Sequence, residues 1–143
     1  MERVDGRWIQ QVADAVDTSQ GVPSAATDGI KVPNNRKGRE TLIRIRHTAA
    51  GARTIPWVLW GYVAATYSID ASGVETDTAV AAGVAWVHTN TTGTLTGSTD
   101  QGEIVDSVKL MSAFDRVYLE TGTLVGTPTY SIDFCFTDND GEG

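Results

Sequence analysis

From Glu40 onward, apolar side chains recur at every second position, the period of a strand with one buried face. In Thr41 to His47, Ile43 and Ile45 fall on one side, Arg44 and Arg46 on the other. Ala50-Gly51 marks a turn, and Ile55 to Val63 is then apolar on both faces, with Trp57, Leu59 and Val63 against Val58, Trp60 and Tyr62. A short strand is expected over Thr66 to Ile69. Thr78 to His88 alternates again, Val80, Val84 and Trp86 opposing Ala79, Ala81, Gly83 and Ala85. Thr89 to Gly97 is polar and threonine-rich, as at an exposed edge strand or hairpin. Glu103 to Leu110 and Phe114 to Thr121 follow, the second placing Val117 and Leu119 opposite Arg116, Tyr118 and Glu120. The most regular strand is the last. Tyr130, Ile132, Phe134 and Phe136 share one face and Ser131, Asp133, Cys135 and Thr137 the other, so this strand is expected to be central, with its four large apolar residues in the core.

About eight strands at this spacing predict an all-β fold, an antiparallel β-sandwich. The strand number favours a jelly roll over the seven-strand immunoglobulin type. Residues 40–143 form this predicted domain. Residues 1–39 differ in kind: Asp17 to Arg39 holds Pro23, Pro33 and three glycines, and no period of 2 or 3.6 survives there. Trp8, Val12 and Val16 fit one helical face or one face of a short strand. The stretch is expected to be an extended N-terminal arm, ordered against a neighbour or a disordered leader in the isolated protein.

Composition agrees with the strand pattern. The chain of 143 residues is rich in Thr, Val, Ala, Gly and Asp, residues of pleated surfaces and short turns rather than of helices. Charge narrows the partners. The net charge of −7 opposes what a phosphate backbone attracts, so no nucleic-acid role is expected. No apolar run approaches the roughly 20 residues that span a bilayer, and the start, Met1 to Asp5, does not read as a signal peptide, so no membrane partner is expected either.

Reactive chemistry is sparse. One cysteine cannot form an internal disulfide or a thiolate zinc site. Cys135 has no base near it in sequence and reads as a small half-buried side chain. His47 and His88 end two strands outside any metal-ligand spacing, and no nucleophile elbow, Walker loop or dinucleotide fingerprint is present. Asp100, Glu103 and Asp106 cluster before a strand, and Asp138 to Glu142 reads as a solvated acidic tail lacking the later ligands of a calcium loop. No catalytic residue, metal or cofactor is expected.

The aromatic residues carry more information. Trp57 and Trp60 lie three apart in one strand and so point to opposite faces. Trp57 is assigned to the core because Leu59 and Val63 share its face. Val58, Trp60 and Tyr62 then form a patch that needs a second covering: a bound sugar, the arm of this chain, a neighbouring subunit, or further parts of the same domain.

Three segments carry a resemblance to a known class: Asp28-Gly29-Ile30-Lys31-Val32-Pro33 with Arg39 and Thr41 to Arg46, Trp57 to Tyr62, and Phe114 to Leu119. In these, and in its Thr/Ala/Gly/Val-rich, nearly cysteine-free style, the chain resembles small β-sandwich virion proteins of tailed bacteriophages, the class of head decoration and head–tail accessory proteins. The resemblance implies a non-catalytic structural role, assembled in a host cytoplasm into the virion through contacts with itself and with other virion proteins. Val58, Trp60 and Tyr62 are the candidate interface. The alternative is a carbohydrate-binding module stacking sugars on Trp60, Tyr62 and Tyr118. A cupin-type enzyme would need a histidine constellation that two distant histidines do not supply.

Overall fold

The computed structural model describes residues 8–16, 18–33, 40–47, 53–97, 102–109, 114–126 and 128–136. They form ten strands and one helical turn: β1 (Ile9–Val16), β2 (Ile30–Lys31), β3 (Glu40–His47), β4 (Arg53–Tyr62), β5 (Ala65–Ile69), β6 (Glu75–Ala79), α1 (Ala82–Ala85), β7 (Trp86–Gly97), β8 (Gly102–Lys109), β9 (Arg116–Thr121) and β10 (Thr129–Phe136). The chain is all-β, and its strand pairs are antiparallel. One four-stranded sheet has the order β1-β10-β3-β8, a second the order β2-β9-β4-β7, and among the described residues β5 and β6 pair only with each other. Successive strands β1 to β4 alternate between the two large sheets, and so do β7 to β10.

The period-2 residues account for the core. Ile43, Ile45, Ile132 and Phe134 of the first sheet and Ile55, Trp57, Leu59, Val117 and Leu119 of the second are buried in a single cluster. β10 lies between β1 and β3, with Phe134 opposite both Ile9 and Ile43. All four of its expected core residues, Tyr130, Ile132, Phe134 and Phe136, are buried. Packing is close where glycine permits it: the Trp57 indole lies across Gly93 of β7, where an added Cβ would sit 2.5 Å from the ring.

Several expectations need correction. Val63 does not join Trp57 and Leu59, because β4 ends at Tyr62 and the chain turns, the Val63 amide donating to Ala85 O; its side chain is exposed. Thr78 to His88 is not one strand. Ala81 O accepts from the Val84 and Ala85 amides, and the resulting turn of helix leaves Val84 exposed while Trp86 is buried. The Val80–Val84 spacing suits a helix as well as a strand, and the alanine-rich run between them offers no branched side chains to hold a strand.

Ile9–Val16 takes the short-strand form that Trp8, Val12 and Val16 allow, at the edge of the first sheet. Its pairing with β10 is irregular, with Asp14 at a φ of 49° and its amide donating to Ser131 Oγ. Gln11 of this strand reaches the other sheet, its amide accepting from Leu119 N at 2.8 Å and donating to Leu119 O at 3.0 Å. Ile30–Lys31, also within residues 1–39, pairs with β9, and Ile30 and Val32 enter the core.

Candidate functional site

The even-numbered face of β4 carries the three residues singled out by the sequence, and strand register adds neighbours to them. Trp60 stands opposite Tyr118 of β9 and His88 of β7, while Tyr62 stands opposite Arg116 and Trp86. An irregularity in β7 makes room for this grouping: two extra residues fall between Thr92 and His88, with Asn90 at a φ of 66°. Thr89 Oγ1 donates to Leu59 O, and the Asn90 backbone N–H donates to His88 Nδ1, fixing the imidazole in a T-shaped pair with Trp60 at 5.2 Å. Tyr62 and Trp86 meet edge to face at 5.0 Å, and Trp86 and Tyr118 at 6.0 Å.

Exposure separates these residues. Val58 and Trp60 are half-buried, Tyr62 is only 9% exposed and Trp86 only 4%. The Trp60 indole N–H donates to Glu120 Oε1 at 2.8 Å, so its polar edge is satisfied within the sheet.

Residues 18–29 of the same chain hydrogen-bond to this face as a strap. The Tyr118 hydroxyl donates to Gly21 O at 2.8 Å and the Trp86 indole to Ala25 O at 2.9 Å. Arg116 donates from Nε to Asp28 O at 2.7 Å and from Nη2 to Thr27 O and Gly29 O. The Asp28 carboxylate closes the loop by accepting from the Ser24 and Ala25 amides, each at 2.9 Å. Those backbone bonds, and secondarily the Arg116 charge, hold its carboxyl below the ordinary value. Gly29, at a φ of 71°, lies so close to Val117 O that an added Cβ would fall 2.1 Å from it. At the strap's start, the Gln20 amide donates to Thr121 Oγ1, the Thr121 amide to Gln20 O, and the Tyr130 hydroxyl to Thr18 O. Burial, then the Asp28 and Glu120 charges, push the Tyr118 phenol up to about 12.

Sequence spacing placed Arg116, Tyr118 and Glu120 on one face but did not bring them to Trp60. Trp86 was assigned to an alternating strand with Val80 and Val84, and its place beside Tyr62 follows from the β4–β7 register. Asp28 and Arg116 are 88 positions apart, and no local pattern announces their contact.

The first sheet has its own polar centre on the face away from the core. Asp133 is 1% exposed and accepts from Arg44 Nε at 3.0 Å and from Arg46 Nε at 2.7 Å, with Arg46 Nη2 adding a bond at 3.2 Å. The Asp133 side chain holds the Arg46 guanidinium more firmly protonated than usual. Trp8 lies over the Arg44 guanidinium at 4.0 Å. The register Asp133↔Arg44 and Ser131↔Arg46 creates the cluster.

The remaining candidates do not converge. His47 is buried on β3 in the first sheet and His88 is exposed on β7 in the second. Cys135 is buried on β10. The side chains of Asp100, Glu103 and Asp106 and the whole of Asp138 to Glu142 lie outside the described residues. Among the described residues no three His, Cys, Asp or Glu side chains are grouped to hold a metal, and no helix is long and apolar enough to cross a membrane. Comparison with protein-family models, with curated proteins and with solved structures found no match to this chain.

Proposed function

We propose that the protein is a non-catalytic structural subunit of a virion, a capsid-decoration or head–tail accessory protein that assembles with copies of itself and with other virion proteins. One observation carries the choice over a sugar-binding module: the aromatic face of β4, β7 and β9 is engaged by the chain's own strap. A stacking platform must present a flat ring to its ligand. Tyr62 packs edge to face with Trp86, Trp86 and Tyr118 bond to strap carbonyls, and Trp60 packs edge to face with His88. These rings serve packing.

The two strand orders support a jelly-roll sandwich, in which eight strands cross alternately between facing sheets and a first strand pairs with the last. Jelly rolls occur in capsid and lectin domains alike, so the fold favours neither use. The resemblance in residues 28 to 119 supports the virion side, with the protein assembled in a host cytoplasm. In this account the strap and β1 belong to the sandwich.

Light scattering and electron microscopy of the purified protein, alongside a glycan-binding screen, test the proposal. A discrete symmetric oligomer without glycan affinity is expected. A monomer whose glycan binding disappears in Trp60→Ala would overturn it.

A further inference from the structure

The two large sheets end in β1, β8, β2 and β7, and the first three of these edges carry features that keep strands apart. β2 is two residues long and includes Lys31. β8 carries Glu103, Asp106 and Lys109. β1 pairs irregularly with β10 and holds Asp14 at a φ of 49°. Short length, charge and bulges each hinder an edge from joining another chain. From Thr92 to Gly97, β7 has none of them. Its register with β4 runs unbroken from Thr92↔Val58 to Gly97↔Arg53. No charged residue occurs from Thr78 to Thr99, in a chain whose net charge is −7.

The backbone of this segment is aimed in two directions. Thr54 and Val125 exchange backbone N–H and carbonyl bonds, and Pro56 O accepts from the Gly122 N–H, so Thr54 and Pro56 turn their backbone groups away from β7. Hydrogen-bonded and non-hydrogen-bonded positions alternate along an antiparallel pair, so Ile55 and Trp57 bond across to Leu95 and Gly93. The N–H and C=O groups of Thr92, Thr94 and Thr96 therefore point outward, off the edge of the sheet. All three threonine side chains are exposed, while Leu95 is buried in the core. Among the described residues no strand pairs with this side of β7.

Such a row is satisfied by an extended strand that presents the same groups at the same spacing. Copies of an acidic chain repel one another, and an edge without charge lets them meet with no like charges opposed. The segment is also suited to pairing with itself. In an antiparallel pair centred on Thr94, that residue faces Thr94 of a second copy, and Thr92 faces Thr96. Every outward group of the threonines then finds a partner, and their side chains stand in cross-strand pairs. On the core side Leu95 of each copy faces Gly93 of the other, a large residue against one with no side chain. A centre nearer Thr92 would run a threonine into the irregularity at Thr89 to Thr91, and one nearer Thr96 would carry the pairing past Gly97. The contact joins identical surfaces, so it closes as a two-fold dimer.

We infer that β7 is a self-pairing edge: Thr92 to Thr96 of two copies join antiparallel about a two-fold axis at Thr94, making one continuous sheet across a dimer. The inference rests on the proposal that the protein assembles with copies of itself, and deepens it.

The experiment measures native mass and amide hydrogen exchange of the full chain over a range of concentration. The Thr92, Thr94 and Thr96 N–H groups should exchange freely when dilute and become protected as the dimer forms, whereas those of Gly93 and Leu95 should be protected throughout. Thr94→Pro removes an N–H that faces away from β4, a change that an edge strand tolerates. Thr94→Lys and Thr94→Glu each set like charges opposite one another at the axis. Compared at a dilution where the wild type is monomeric, all three should melt as it does, and each should associate roughly tenfold more weakly or worse. Mixing Thr94→Lys with Thr94→Glu should restore a dimer that neither forms alone. Loss of association in each without recovery on mixing would overturn the pairing centred on Thr94. A wild-type oligomer that all three variants reproduce, with the threonine amides still open, would overturn the role of β7 and leave self-assembly standing. A wild type that stays monomeric at every concentration would overturn self-assembly itself, and this inference with it.

Discussion

Replacing Trp86 by alanine probes the strap directly. The side chain is 4% exposed, packed against Tyr62 and Tyr118, and its indole N–H donates to Ala25 O. Truncating a buried tryptophan costs about 3–5 kcal/mol, less where the surroundings can collapse into the gap. Here one wall is a strap of largely exposed residues, so the loss should fall near the lower end, about 3 kcal/mol. For a chain of this length that lowers Tm by about 10 °C. Trp86→Phe keeps a ring between Tyr62 and Tyr118 but deletes the bond to Ala25, and should cost about 1 kcal/mol from that bond plus a small area term. Subtilisin, which cuts exposed extended backbone with broad specificity, supplies a local readout, since Gly21, Val22 and Ser24 to Thr27 of the strap are exposed. If the whole loss falls on strap opening, the open population rises roughly a hundredfold and cleavage within the strap accelerates in proportion. Denaturant melts of the three proteins, with timed digests, separate local opening from global unfolding. If Trp86→Ala left both the melt and the rate of cleavage within the strap at wild-type values, the strap would not be held by this cluster, and the objection to the sugar-binding alternative would fall with it.

Two further outcomes follow from the polar clusters. Asp133→Asn removes the charge facing Arg44 and Arg46, whose guanidiniums still reach water at 24% and 41% side-chain exposure; the expected loss is about 1–3 kcal/mol, below that of a fully buried pair, and equal denaturant midpoints for variant and wild type would contradict it. Tyr118 should ionise near 12 rather than 10.0. Folding favours its neutral phenol, so the associated stability is complete below pH 10 and is lost as pH rises toward 12, a step that an ultraviolet difference titration against Tyr118→Phe should resolve.

What the sequence made legible was whatever repeats every two residues. Ile43 and Ile45, Val117 and Leu119, and Tyr130 to Phe136 each declare a buried face without reference to any other part of the chain. The opposite face of β10 was not legible in that way. Ser131 and Asp133 are polar and Cys135 reads as half-buried, yet all three are buried, and β3 delivers two arginines to Asp133 from 87 and 89 positions away. Residues 18–29 show the same limit. Their irregular composition correctly excludes regular secondary structure, but their hydrogen bonds go to Trp86, Arg116, Tyr118 and Thr121, and spacing along a chain does not encode such partners. Of the candidate face, Trp60 and Tyr62 were visible as the second side of a strand apolar on both. Trp86 was hidden by an alanine-rich turn that imitates strand alternation.

The pairing of β1 with β10 joins strands far apart in the chain, Ile9 standing opposite Phe134. It has a consequence in time. A ribosome makes about 5–20 residues per second, so the first strand waits many seconds for the last to exist. Throughout that interval β1 and β3 lack the strand that lies between them, and the isoleucines of β3 lack Ile132 and Phe134. Contacts this distant in sequence also slow folding once the chain is complete, since a long loop must close before any of them forms. The nascent chain therefore spends its early life with an apolar half-sheet uncovered, within reach of other nascent copies. Its yield should depend on temperature, synthesis rate and chaperone supply more steeply than the stability of the finished fold would suggest.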